Sequence, residues 1–426
     1  MDKVILGEGA VYSTDCQKTG LNNNVIVCGT SGCGKTMSVS EPLLLETFDK
    51  SLIATVTKRR LVHKYRGMFR SRGYSVMDLD FISPETSEYG YDPMRFVRSD
   101  ADITFLAGQI VAMKADRNGH ISRDPYWDHA AVSLLSAEIG YICETTKGGG
   151  SFLDVLELHD ELKVMDSSIR TSIQTSLDDK FEKLRNDNYV SGKYRMTLSN
   201  WDSFRQMPAK TARSIYGSLN NILDSVFTPE LRKMFRNSHH VNFRKLADRK
   251  SILFVSSSAV NPAIHGFVNL FYAQAFKELF EIAERRPDGM LPIPVHMLCD
   301  DFAIGGPIRG FADFISIFRE KRISVTLLVQ SQSQLQRIYG ATDATTIINN
   351  CDTYLYMGGM DLQTVSSISE RMDVPLEDIL YMPVGQVIIL RRGEKPVITQ
   401  RYDIGQDKRY RKVTASYEKR IGGRDH

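Results

Sequence analysis

Eight consecutive residues, Gly29, Thr30, Ser31, Gly32, Cys33, Gly34, Lys35 and Thr36, follow directly on a short apolar run at 25–28. The spacing Gly-x-x-x-x-Gly-Lys-Thr is that of a phosphate-cradling loop, which functions only between a strand and a helix and so constrains the fold around it. Glycines let the backbone curl until its N–H groups point at phosphate oxygens. The lysine then reaches the terminal phosphates, and the threonine hydroxyl holds Mg²⁺. The loop therefore implies a nucleoside triphosphate, ATP or GTP, with Mg²⁺ as cofactor. Cys33 sits at a variable position and reads as a small residue tolerated there.

Apolar runs at 24–28, 51–56, 74–79, 252–256, 295–299 and 323–329 alternate with longer helical patterns. This predicts a mostly parallel α/β sheet flanked by helices. Further strands are predicted at 353–357 and 385–391. Between the two groups strand signals fade, so an all-α domain is expected as an insertion. The expected division is a nucleotide-binding domain over 1–123 and 236–405, a helical insert over 124–235, and a basic tail at 406–426 that frays. A length of 426 residues exceeds what one core serves. The formal charge of +3 is too mild to argue for a polyanion partner by itself. Six scattered cysteines without Cys-x-x-Cys pairs fit a reducing cytosol. With no apolar run near the roughly 18 residues of a membrane span, a cytoplasmic protein is expected.

A phosphate loop needs a carboxylate at the end of a neighbouring strand, and 295–299 ends in Asp300 and Asp301. Asp300 is the expected Mg²⁺ partner, and Asp301 the group that orients or deprotonates the attacking water. The alternative is that the pair only caps a helix beginning near 308. The run at 323–329 ends at Gln330, whose amide can sense the γ-phosphate; a polar strand-end turn is the rival reading.

With these residues assembled, the chain resembles the type IV coupling proteins, hexameric ATPases that deliver DNA to conjugative type IV secretion channels. The resemblance rests on the phosphate loop together with Asp124-Pro125-Tyr126-Trp127-Asp128, Asp300-Asp301-Phe302-Ala303 with Gly306 and Phe311, Gln330-Ser331 with Gln334-Leu335, and Asn350-Cys351-Asp352-Thr353 with Gly358-Gly359, in that order. It implies a RecA-like P-loop ATPase fold with the helical insert receiving cargo. It also implies ATP hydrolysis coupled to moving single-stranded DNA with its relaxase, at the cytoplasmic face of the membrane, with secretion-channel proteins as partners. Arg319 matches the family's finger that completes a neighbouring subunit's site; a solvated cation is the alternative, and Arg322 a competitor. Asp301 stands where the family has Glu, so slow turnover is expected of the isolated protein. The segment 55–60 departs from the family's Asp-Pro-Lys-Gly-Glu and receives no role, and the family's leading transmembrane helices are not seen. A non-hydrolysing docking platform for relaxase and a DNA-packaging or segregation pump are the rival functions.

Lys58, Arg59, Arg60, Lys64, Arg66, Arg70 and Arg72 crowd one stretch. They either line a channel for DNA phosphates or decorate a solvated helix. Tyr126 and Trp127 are expected to anchor their helix by packing rather than to stack on a base.

Overall fold

The computed structural model describes residues 3–113, 125–162, 173–187, 193–258, 262–302, 304 and 306–422. Asp124 and Ala303 of the family-like motifs lie outside them. The strands are β1 (Lys3–Gly7), β2 (Ala10–Ser13), β3 (Val25–Cys28), β4 (Ser51–Val56), β5 (Ser75–Asp80), β6 (Ser251–Ser256), β7 (Val295–Cys299), β8 (Ile323–Val329), β9 (Thr353–Tyr356), β10 (Gln386–Arg391) and β11 (Val397–Gln400). β1 and β2 form a hairpin, and the others one sheet in the order β11-β10-β9-β3-β8-β7-β4-β6-β5. From β9 to β5 all neighbours are parallel. β10 runs against β9 and β11 against β10, so β11 again ends at the edge where the parallel strands end.

The eight strands predicted from the sequence are all present, within a residue or so of their expected ends. Their apolar alternation serves two faces at once. In β3, Ile26 and Cys28 join one buried core while Val25 and Val27 join the other, as befits a parallel strand covered on both sides. Each such side chain contributes about 1.5–3 kcal/mol by leaving water.

Between β5 and β6 the described residues are helical, and the helical part extends beyond 124–235. The helix Asp100–Val111 already packs along Pro125–Thr145, and Phe243–Asp248 precedes β6. This part shares one continuous core with a sheet face: Phe227 and Phe235 meet Phe267 with ring centroids 5.7 and 6.0 Å apart. Trp201 stacks on Phe181 at 4.0 Å within it.

The tail expected to fray at 406–426 is instead helical over Lys408–Gly422. Two of its residues are anchored to the sheet domain: Arg409 bridges Asp407 at 2.6 Å and also Glu46, and the Tyr410 ring centroid lies 3.7 Å from the Lys64 ammonium. Hydrogen bonding to Arg409 lowers the Asp407 carboxyl to about 2. Tyr126 and Trp127 do not anchor their helix in the core. Their rings meet edge-to-face at 5.9 Å on its exposed start.

Candidate nucleotide site

All the parallel strands release their chain at one edge, and the site is built there from consecutive strand exits. β3 lies between β8 and β9. At its end Gly32 and Gly34 adopt φ of +82° and +97°, a left-handed geometry that only glycine takes without strain. The loop closes into a π-helical turn, Thr36–Ser40, and then the helix Glu41–Glu46. That helix is held by Glu41, buried to 1% exposure, which accepts from the Lys64 ammonium at 2.7 Å and the Tyr65 hydroxyl at 2.6 Å. Lys35 is turned back on its own loop, donating to the carbonyls of Gly29 and Thr30.

β8 is one neighbour of β3, and the Gly29 amide donates to the Val329 carbonyl at 3.2 Å. Gln330 therefore emerges, exposed, beside the loop. β7 is the next strand and ends in the two acids. The Phe302 amide donates to the Leu328 carbonyl at 2.9 Å, pinning the turn after the acids to β8. Burial pushes the Asp300 carboxyl up to about 6, Asp301 beside it adds to the rise, and Lys35 and Lys58 oppose it. Phosphate-loop lysine and twin acids thus share one edge and one electrostatic neighbourhood. Asp301 has a φ of +53°; among non-glycine residues Asp and Asn tolerate this region best, so an aspartate suits this backbone.

Lys35, Asp300, Asp301 and Gln330 are brought together, whereas Arg319 is not. It is exposed in the 3₁₀ turn Phe318–Lys321, immediately before β8 and so at the opposite edge, near Cys16. Arg322 is a structural clasp, donating to the carbonyls of Leu291 and Pro292 at 3.0 and 2.9 Å.

The segment 55–60, left without a role by sequence reasoning, meets the site. The Thr57 hydroxyl lies 3.5 Å from Asp300, and Lys58 acts electrostatically on the same carboxyl. The rest of the basic stretch turns largely inward. Arg59 bridges Asp78 and Asp80 at 3.3 and 2.7 Å, Arg66 bridges Asp78 and Glu88 at 3.0 and 2.6 Å, and Arg72 donates to the carbonyls of Leu45 and Thr47. Arg60 and Arg70 stay exposed. A further residue that sequence reasoning missed is Arg401, just after β11, whose guanidinium donates to the Cys33 carbonyl at 3.1 Å.

The residue types suit a nucleotide: an ammonium that rests on the Gly29 and Thr30 carbonyls, and the Thr36 hydroxyl in the loop and the Asp300 carboxylate on the next strand but one, hard oxygen donors of the kind Mg²⁺ prefers. Among the described residues no helix is long and apolar enough to cross a membrane.

Residues 2–373 match the family model described as type IV secretory system conjugative DNA transfer. Among solved structures the chain is similar to the bacterial conjugative coupling protein TrwB, in a form designated TrwBdeltaN70 with sulphate (15% identity, 94% of this chain and 90% of that one, TM-score 0.67). TrwB in complex with ADP and Mg²⁺ is similar at 15% identity, with 95% of this chain and 90% of that one covered and a TM-score of 0.66. VirB4 of Thermoanaerobacter pseudethanolicus follows at 13% identity, 96% and 98% coverage and a TM-score of 0.56. No curated protein matches. The architecture is thus the RecA-like P-loop fold with an all-helical region.

Proposed function

The chain belongs to the type IV secretory system conjugative DNA transfer family, and on that premise we propose that it is an ATP-hydrolysing coupling protein. It recruits relaxase-bound single-stranded DNA through its helical part and feeds it to a secretion channel at the cytoplasmic face of the membrane, as a hexamer. The observation that supports this reading is that Lys35, Asp300 and Asp301 share one electrostatic neighbourhood at one strand edge, with Gln330 following the strand between them. The TrwB complex with ADP and Mg²⁺ supports the same choice of ligand.

In this mechanism Lys35 leaves the Gly29 and Thr30 carbonyls for the β- and γ-phosphates, and the loop amides take the phosphate oxygens. Thr36 and Asp300 would hold Mg²⁺, which when bound would neutralise charge developing on the phosphates. Asp301 orients the attacking water and accepts its proton, while Gln330 donates from the neighbouring strand to the γ-phosphate. Arg319 acts on the neighbouring subunit's nucleotide, since it lies at the edge away from its own.

The test is ATPase rate against protein concentration, with and without single-stranded DNA, for the parent and Lys35→Ala. The parent rate per subunit is expected to rise with concentration and with DNA, and Lys35→Ala to lose about 10²-fold or more. A parent that binds ATP but never turns it over would favour the docking platform.

A further inference from the structure

We propose that Arg401 is a nucleotide ligand acting in cis, donating to the α- or β-phosphate of the nucleotide in its own subunit. The inference rests on the nucleotide-binding reading above and extends it to a residue beyond the span, 2–373, that the family model matches.

The sheet order determines which phosphates Arg401 can serve. Gln330 and the twin acids approach the loop from the β8 and β7 side of β3, where the γ-phosphate must face them. Arg401 arrives from the other side: β10 runs away from the loop's edge and β11 returns to it, on the far side of β10 and β9 from β3. Its backbone is firmly placed, with the Arg401 amide donating to Gly385 at 2.7 Å, the Glu8 amide to Gln400 at 2.8 Å, and the Asp403 amide to the Glu8 carboxylate at 2.7 Å.

From that base the side chain lies across the loop. A Cβ on Gly34 would come within 3.0 Å of Arg401 Nη1 and 3.7 Å of its Cζ, so the guanidinium packs on the bare glycine next to Lys35. It donates to the Cys33 carbonyl at 3.1 Å. Among the described residues no carboxylate pairs with it, although arginines elsewhere in the molecule are bridged to acids. A guanidinium offers five donors in a planar fork suited to phosphate oxygens. Held on the Cys33 carbonyl beside a loop of phosphate-cradling sequence, it has most of its donors available for the ligand.

The test is titration of nucleotide-free protein with fluorescent ADP and ATP analogues, alongside thermal melts and kcat at saturating ATP. Arg401→Met keeps the packing stem without the charge, Arg401→Ala removes both, and Arg401→Lys keeps the charge without the fork. Met and Ala are expected to weaken ADP and ATP alike by about 10-fold or more, to leave kcat at saturation within about 3-fold, and to melt near the parent; Lys is expected to recover part of the affinity. Unchanged affinity in Arg401→Met overturns the inference, even if Arg401→Ala melts early, because the residue then only packs. A loss confined to ATP also overturns it, by moving the contact to the γ-phosphate. If the parent itself binds neither nucleotide, the failure belongs to the nucleotide reading.

Discussion

Two sets of cations lie near the same strand edge, and their surroundings differ. Arg59, Lys64 and Arg66, at and along the helix Arg60–Ser71, are bridged to Asp78, Asp80 and Glu41, carboxylates with 2%, 1% and 1% exposure. Buried acids of this kind need counter-ions, and these cations provide them. Burial still raises the Asp78 carboxyl although both arginines oppose it. Lys35 and Arg401 rest on backbone carbonyls instead, and Lys58 faces the site exposed. A dense run of basic residues in the sequence thus includes cations spent on buried acids, while Lys35 and Arg401, scattered along the chain, rest on carbonyls beside the loop.

The largest effect tests whether Arg319, a cation of neither set, works across a subunit boundary. Arg319→Ala is expected to lower DNA-stimulated turnover by about 10³- to 10⁵-fold while leaving nucleotide affinity at low protein concentration unchanged. Mixing it with Lys35→Ala subunits should restore part of the activity, since some interfaces then pair an intact loop with an intact arginine. Failure of the mixture to recover would put the arginine outside the site.

Next in size is the inward set. Lys64→Ala leaves Glu41 buried with, among the described residues, Tyr65 as its side-chain partner, and denaturant titration should show a loss of about 3 kcal/mol, with single-stranded DNA affinity and its salt slope unchanged in folded protein. A flattened slope at parental stability would return this helix to the DNA path.

The smallest effect concerns a third kind of pairing, deep in the helical part, where His159 Nδ1 lies 2.9 Å from Glu138 with both side chains buried. Burial opposes the imidazolium, but Glu138, with help from Asp160 and Asp224, raises the His159 pKa. A folded-state pKa raised above the unfolded value of about 6.5 gives stability that is complete below that pH and lost as pH rises through the higher value. Stability should fall above pH about 6.5, and His159→Gln should flatten that part of the profile; an identical profile in the variant would show the pair to be uncharged.

Much of the molecule was legible in the sequence for local reasons. The eight strands predicted are buried ones, whose apolar runs are dictated by cover on both faces. β2 and β11 were missed because they are short and partly exposed, with Val397 and Ile398 facing outward; β1 has the apolar run Val4-Ile5-Leu6, but it lies outside the parallel sheet, paired only with β2 among the described residues. The phosphate loop and the Asp300–Asp301 pair could be read because each is a contiguous pattern at a strand exit. The C-terminal helix was mistaken for a tail because its anchors, Glu46 and Lys64, lie more than 300 positions away.

By itself the sequence determined the chemistry available: a loop whose glycines and lysine suit phosphates, acids to follow a strand, and strands buried deeply enough to stack in parallel. The tertiary structure alone decided the assignments, because sheet order and hairpin reversals set which strand exits become neighbours. It brought Lys58 and Arg401 to the loop, sent Arg319 to the far edge, and turned Arg59, Lys64 and Arg66 inward, since a buried carboxylate draws whichever cation the fold carries past it.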